Sequence, residues 1–182
     1  IAPTYCAPRS VLPPHHLRAH IMVMDEPNHL SLHDQRVVRR PPGARELLVD
    51  NTLVVVPWHD PVVDTNGHCV LSRYVEHFWL PVLGPSALWI LRRIVIGFEE
   101  FPGGFEIDVP YMASAVGLSF NAGANSSFTR SLQRCTMFGA AQALQGGLAV
   151  RQFLPTLSNR QLQRLPLTLR QAHPTAMAQS SP

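Results

Sequence analysis

Apolar positions recur at helical spacing between Gly84 and Pro102. Leu88, Leu91, Val95 and Phe98 fall on one stripe, Pro85 suits the first turn, and Gly97 and Pro102 close the element, which marks it as the core helix. Just upstream, Ser72 can cap a short helix in which Val75, Phe78 and Trp79 share a face and Pro81 stops the run. Downstream, Asp108 caps a stretch in which Val109, Met112, Ala113 and Val116 form a stripe, and Gly117 suits the left-handed position at its exit. After the polar loop 119–125, residues 126–139 place Phe128, Leu132, Cys135 and Gly139 in one arc and Ser126, Arg130, Gln133, Arg134 and Met137 in the opposite one. Residues 140–144 and 148–154 then flank the turn Gln145-Gly146-Gly147, as two strands of a hairpin would.

The flanks are less regular. Residues 1–45 mix prolines with scattered His and Arg and show no apolar period, so they are expected to be a disordered tail. The chain begins at Ile1, and Met22 and Met24 are alternative starts. Residues 46–71 read as extended chain or a small hairpin. Leu47–Val49 and Leu53–Val56 are β-rich, and Asn66-Gly67 is a turn between Val62-Val63 and Cys69–Leu71. Residues 155–173 predict a C-terminal helix with Leu162, Leu165 and Leu169 on one side, bent or broken at Pro166, and 174–182 a tail.

Composition changes this picture at two points. All 15 basic residues are arginine, a bias consistent with a GC-rich genome, and guanidinium is also the better fork for phosphates and guanine edges. Acidic residues crowd 48–108, whereas 109–182 carry Arg130, Arg134, Arg151, Arg160, Arg164 and Arg170 with no Asp or Glu, as a polyanion-facing surface would. Cys6, Cys69 and Cys135 are odd in number and widely spaced, so no disulfide framework and a cytoplasmic setting are expected. The longest apolar run, Phe78–Leu91, is interrupted by prolines and too short for a membrane span.

Enzyme chemistry finds no foothold. Gly84–Leu88 is similar to a nucleophile elbow but has Leu88 where the second glycine belongs. His59, His68, Cys69 and His77 match no metal-ligand spacing. No phosphate loop, dinucleotide fingerprint or paired carboxylates occur, so no cofactor and no metal are expected.

The order helix, capped short helix, basic amphipathic helix, hairpin resembles the winged-helix family of DNA-binding domains over residues 72–154. The stretch around Tyr74-Val75-Glu76, Phe78-Trp79-Leu80 and Leu83–Ser86 resembles uncharacterised actinobacterial proteins. The resemblance implies a mainly α fold with a small β-hairpin, a winged helix-turn-helix with an irregular N-terminal extension. It further implies double-stranded DNA as partner, with Ser126 to Met137 in the major groove and Gly146 over the backbone. Ser126, Arg130, Gln133, Arg134, Met137, Gly146 and Arg151 are the expected DNA contacts, and transcription regulation is the expected role. Winged helices often dimerise, so a homodimer is a further candidate. The rival reading is a protein–protein assembly module that does not bind DNA.

Overall fold

The computed structural model describes residues 17–19, 51–120 and 126–180. The chain order is β1 (Leu17–Ala19), β2 (Thr52–Pro57), α1 (Pro61–Asn66) and β3 (His68–Cys69). A π-helical turn (Val75–Trp79) then runs straight into α2 (Leu80–Leu83). The long α3 (Pro85–Glu100), β4 (Phe105–Asp108), α4 (Val109–Ala115) and α5 (Ser127–Met137) follow. The strands β5 (Ala141–Leu144), β6 (Gly147–Val150) and β7 (Phe153–Leu154) lead to α6 (Asn159–Leu162) and α7 (Leu167–Ser180).

This is an α/β fold, which corrects the expected mainly α domain with a small hairpin. The strands β4, β2, β6 and β5 form a mixed sheet in that order, β1 adds a strand beyond β4, and β3 pairs with β7 in a second, two-stranded sheet. The hairpin β5–β6 is present as the Gly-Gly turn predicts, but β6 also pairs in parallel with β2, and β2 pairs antiparallel with β4. The reason lies in β2. Leu53 and Val55 are fully buried while Val54 and Val56 are half-buried, so the run of branched residues fills a central position instead of lying loosely on a helical domain.

Two local expectations also change. Val62 and Val63 lie in α1 and not in a strand, because the Asp60 carboxylate accepts hydrogen bonds from the amides of Val62 and Val63 at 3.1 and 3.2 Å and Pro61 occupies the first turn. Asn66-Gly67 therefore ends a helix rather than turning a hairpin. Pro81 does not stop the second helix: the chain passes from the π-turn into α2 and ends at Gly84, whose φ is 79°. Pro81 falls in the first turn of α2, where a missing amide hydrogen costs little.

Other predicted signals are in place. The Asp108 carboxylate accepts from the Tyr111 amide at 2.8 Å, Gly117 has a φ of 70°, and Pro166 falls between α6 and α7. The last helix continues past residue 173 to Ser180, through Pro174. Leu47–Val49 and residues 121–125 lie outside the described residues, as does the expected N-terminal tail apart from β1.

The buried stripe of α3 (Ala87, Leu88, Ile90, Leu91, Ile94, Val95, Phe98) packs into the core, and Gly97 brings the helix against β4. A Cβ at Gly97 would stand 2.4 Å from Cζ of Phe105, a ring that is fully buried and flanked by Phe98 and Phe101 at centroid distances of 5.5 and 6.0 Å. That ring has nowhere to move. Gly97→Ala is accordingly expected to cost about 1–3 kcal/mol in urea unfolding. Gly103→Ala, whose Cβ meets nothing within 4 Å, should cost less than about 0.5 kcal/mol. Equal losses for the two would show that the Gly97–Phe105 contact does not set the helix–sheet spacing.

Candidate nucleic-acid interface

Helix α5 begins at Ser126, whose hydroxyl accepts from the Thr129 amide at 3.1 Å and lies 2.8 Å from the Thr129 hydroxyl. This N-cap is buried, so Ser126 orients the helix and is not presented as a contact. Phe128, Leu132 and Cys135 point inward, and burial pushes the Cys135 thiol up to about 12, which leaves it an inert core group. The opposite arc faces solvent. Arg130 and Arg134 are exposed, as is Met137 at 68%.

That arc forms one wall of an open groove of about 620 Å³. Arg130, Gln133, Arg134 and Met137 line it together with Ser127 and Ser131. The other wall is the start of α3, from Leu83 through Gly84, Pro85 and Ser86 to Ala87. Gly84 provides no side-chain cap to this 16-residue helix, so the positive end of its dipole opens on the groove. Neither wall carries a carboxylate.

The two groove arginines differ in their freedom. Arg134 donates from Nε and Nη2 to the Val82 carbonyl at 3.2 and 2.7 Å, and its guanidinium lies 5.3 Å from the Phe138 ring centre. It closes the C-terminal end of α2 and ties α5 to it. Arg130 has no ion-pair or hydrogen-bond partner among the described residues, and its guanidinium is the available cation of the groove.

The remaining expected contacts lie apart from this face. Gly146 forms the β5–β6 turn with a φ of 77° and is outside the groove lining. Arg151 is only 9% exposed and belongs to the fold. Its Nη2 donates to the Asp60 carboxylate at 2.9 Å, its Nε donates to the Gly139 carbonyl at 3.1 Å, and its guanidinium stacks 3.7 Å from the centre of the Trp58 ring. The hydrogen bond from Arg151 leads the effects that hold the Asp60 carboxyl below its ordinary value, with the amide of Val63 adding to it. Asp60 thus caps α1 with one oxygen and anchors the end of β6 with the other. No local pattern announces a pair 91 residues apart. The α3 wall did leave a trace in the sequence, a Gly-Pro-Ser helix start that lacks the usual Ser, Thr or Asp cap.

Cys69 is disulfide-bonded, a bond that the number and spacing of the cysteines did not suggest. Among the described residues no cluster of three or more His, Cys, Asp or Glu side chains could hold a metal, and no helix is long and apolar enough to cross a membrane. Compared with family models, curated proteins and solved structures, the chain matches none.

The different settings of Arg130 and Arg151 separate their variants. Arg151→Ala is expected to lower Tm by at least about 3 °C, the shift that roughly 1 kcal/mol gives in a chain of this size. Arg130→Ala should leave Tm within about 1 °C, as an exposed side chain without partners would. Thermal unfolding followed by circular dichroism reads both, and a larger loss for Arg130→Ala would overturn the assignment.

Proposed function

We propose that this protein binds DNA through the groove between α5 and the start of α3. The observation that carries this reading is that both walls offer positive charge and neither offers a carboxylate. Arg130 and the remaining edge of Arg134 face it from α5, and the uncapped amides at the start of α3 face it from the other side. Phosphates are the groups that such a pair of walls holds best, since helix N-termini and guanidinium groups both favour them.

The chemistry of binding follows from that arrangement. Arg130 and the α3 amides would neutralise phosphates and release their counterions, which drives association without regard to sequence. Gln133 and Met137 on the same arc are placed to meet base edges, where an amide side chain can discriminate adenine and a thioether can touch the thymine methyl group. Charge along the chain agrees with this reading, because residues 109–182 carry no acidic side chain and five of their six arginines, all but Arg151, are exposed.

A protein–protein assembly role has less behind it. Met137 is the one large apolar side chain exposed on the outer arc of α5, and it stands beside Arg130 and Arg134 instead of within an apolar patch.

Fluorescence anisotropy of the full chain with a random-sequence duplex tests the proposal. Affinity is expected to fall steeply with salt, and Arg130→Ala should weaken binding about tenfold while reducing the slope of log K against log salt by about 1, the signature of one lost phosphate contact. A folded protein that shows no binding at about 50 mM salt would sink the reading.

A further inference from the structure

Away from the groove, titratable side chains converge at the base of the last helix. Tyr74, immediately before the π-turn, is buried, and so is His173 of α7. The Tyr74 hydroxyl accepts a hydrogen bond from the Leu157 amide at 3.1 Å and lies 2.8 Å from Nε2 of His173. An amide can only donate, so the phenol's own proton is left for the second partner. Nε2 of His173 stands where it can accept that proton, as a neutral imidazole protonated on Nδ1 would. On the other side, the His68 ring stacks on Tyr74 with centroids 3.5 Å apart and planes 18° apart, and its Nε2 lies 3.2 Å from the Thr156 hydroxyl. Phe78 completes the enclosure, edge-on to His173 at 5.1 Å.

This contact is the most buried one in the described part of α7. Among residues 167–174, His173 is the one buried residue, Leu169 is half-buried, and the other six are exposed. Among the described side chains of this helix, the docking of residues 167–174 therefore leans on the environment of His173, a group able to take up a proton.

We propose that His173, Tyr74 and His68 form an acid-released latch that docks α7 on the core when the imidazoles are neutral and frees it when His173 takes up a proton. A proton on Nε2 turns that nitrogen from acceptor to donor toward the Tyr74 hydroxyl, which already accepts from Leu157, and places a cation in a buried enclosure. Among the described residues no acidic group contacts His173. The groups facing His173 are His68 from β3, Tyr74 and Phe78 from the π-turn region, and the Thr156–Leu157 segment, through its bonds to His68 and Tyr74. His77 is exposed, with Nδ1 2.8 Å from the Arg73 carbonyl, and Glu76 is exposed and paired with Arg92 at 3.4 Å. On α7 itself the charged neighbour is Arg170, which is exposed and of the same sign as the incoming proton.

Burial lowers the affinity of both imidazoles for protons below the ordinary value of 6.5, and for His68 the nearby His173 adds like-charge repulsion. A base held below its unfolded value binds fewer protons when docked than when free. Its contribution to docking is therefore complete above about pH 6.5 and is lost as the pH falls below that value.

Hydrogen exchange of the full chain, read by mass spectrometry and corrected for the intrinsic rate at each pH, tests the latch. Between about pH 7.5 and about pH 5 the protection of α7 amides is expected to fall at least tenfold while α3 stays protected. His173→Phe fills the same enclosure without a titrating group, and its α7 should keep the same protection at both pH values. Unchanged α7 protection in the parent chain would overturn the latch, as would an equal fall in His173→Phe. Because the readout is local to α7 and needs no ligand, it stands apart from the DNA reading.

Discussion

The architecture depends on the double pairing of β2. Six residues, Thr52–Pro57, hydrogen-bond to β4 on one side and to β6 on the other, and without them those two strands would have facing, unsatisfied edges. The segments that follow β2 inherit their positions from this placement. Trp58 donates its backbone amide to Val150 at 2.8 Å, and Trp58 and Asp60 then meet Arg151 where β6 ends. Helix α3 is set against the same sheet through Gly97 and Phe105, and its N-terminus forms the α3 wall of the groove. A sheet pairing thus fixes, through one helix, where positive backbone charge meets an arginine side chain.

Three arginines show how little the residue type alone determines. Arg130 is solvated and unpartnered among the described residues, Arg134 closes the end of α2, and Arg151 is enclosed by Trp58 and Asp60. Each sits at a position that reads as a basic surface in the sequence. Helical periodicity placed Arg130, Arg134 and Met137 outward and Phe128, Leu132 and Cys135 inward, as they are, because facing is a local property with a period of 3.6 residues, but it put the buried cap Ser126 on the outer arc and the exposed Gly139 on the inner one. It could not reveal that the neighbouring carbonyl of Val82 takes up Arg134, since that contact spans 52 residues of chain.

The same division runs through the fold. The cap at Asp108, the glycine exit at Gly117, the β5–β6 turn and the break at Pro166 were all legible, because each is decided by a few adjacent residues. The Asn66-Gly67 hairpin misread arose from a competition also fought locally: Asp60 and Pro61 start a helix that carries Val62 and Val63 with it, whatever their strand preference. The mixed sheet was not legible. A short apolar run looks alike whether it lies on a surface or fills the centre of a sheet, and only its distant partners distinguish the two.

The parallel pairing of β2 with β6 bears on how the chain acquires its shape. Val54 and Gly147 meet across most of the described sequence, so closing that contact costs the entropy of a long loop before any sheet hydrogen bond returns it. During synthesis β2 emerges early with its Leu53 and Val55 face ready, yet its parallel neighbour leaves the ribosome only after α5 and β5 have been made. Sheet assembly is in that sense a late event for this chain, and β2 is the segment left waiting with an unpaired edge.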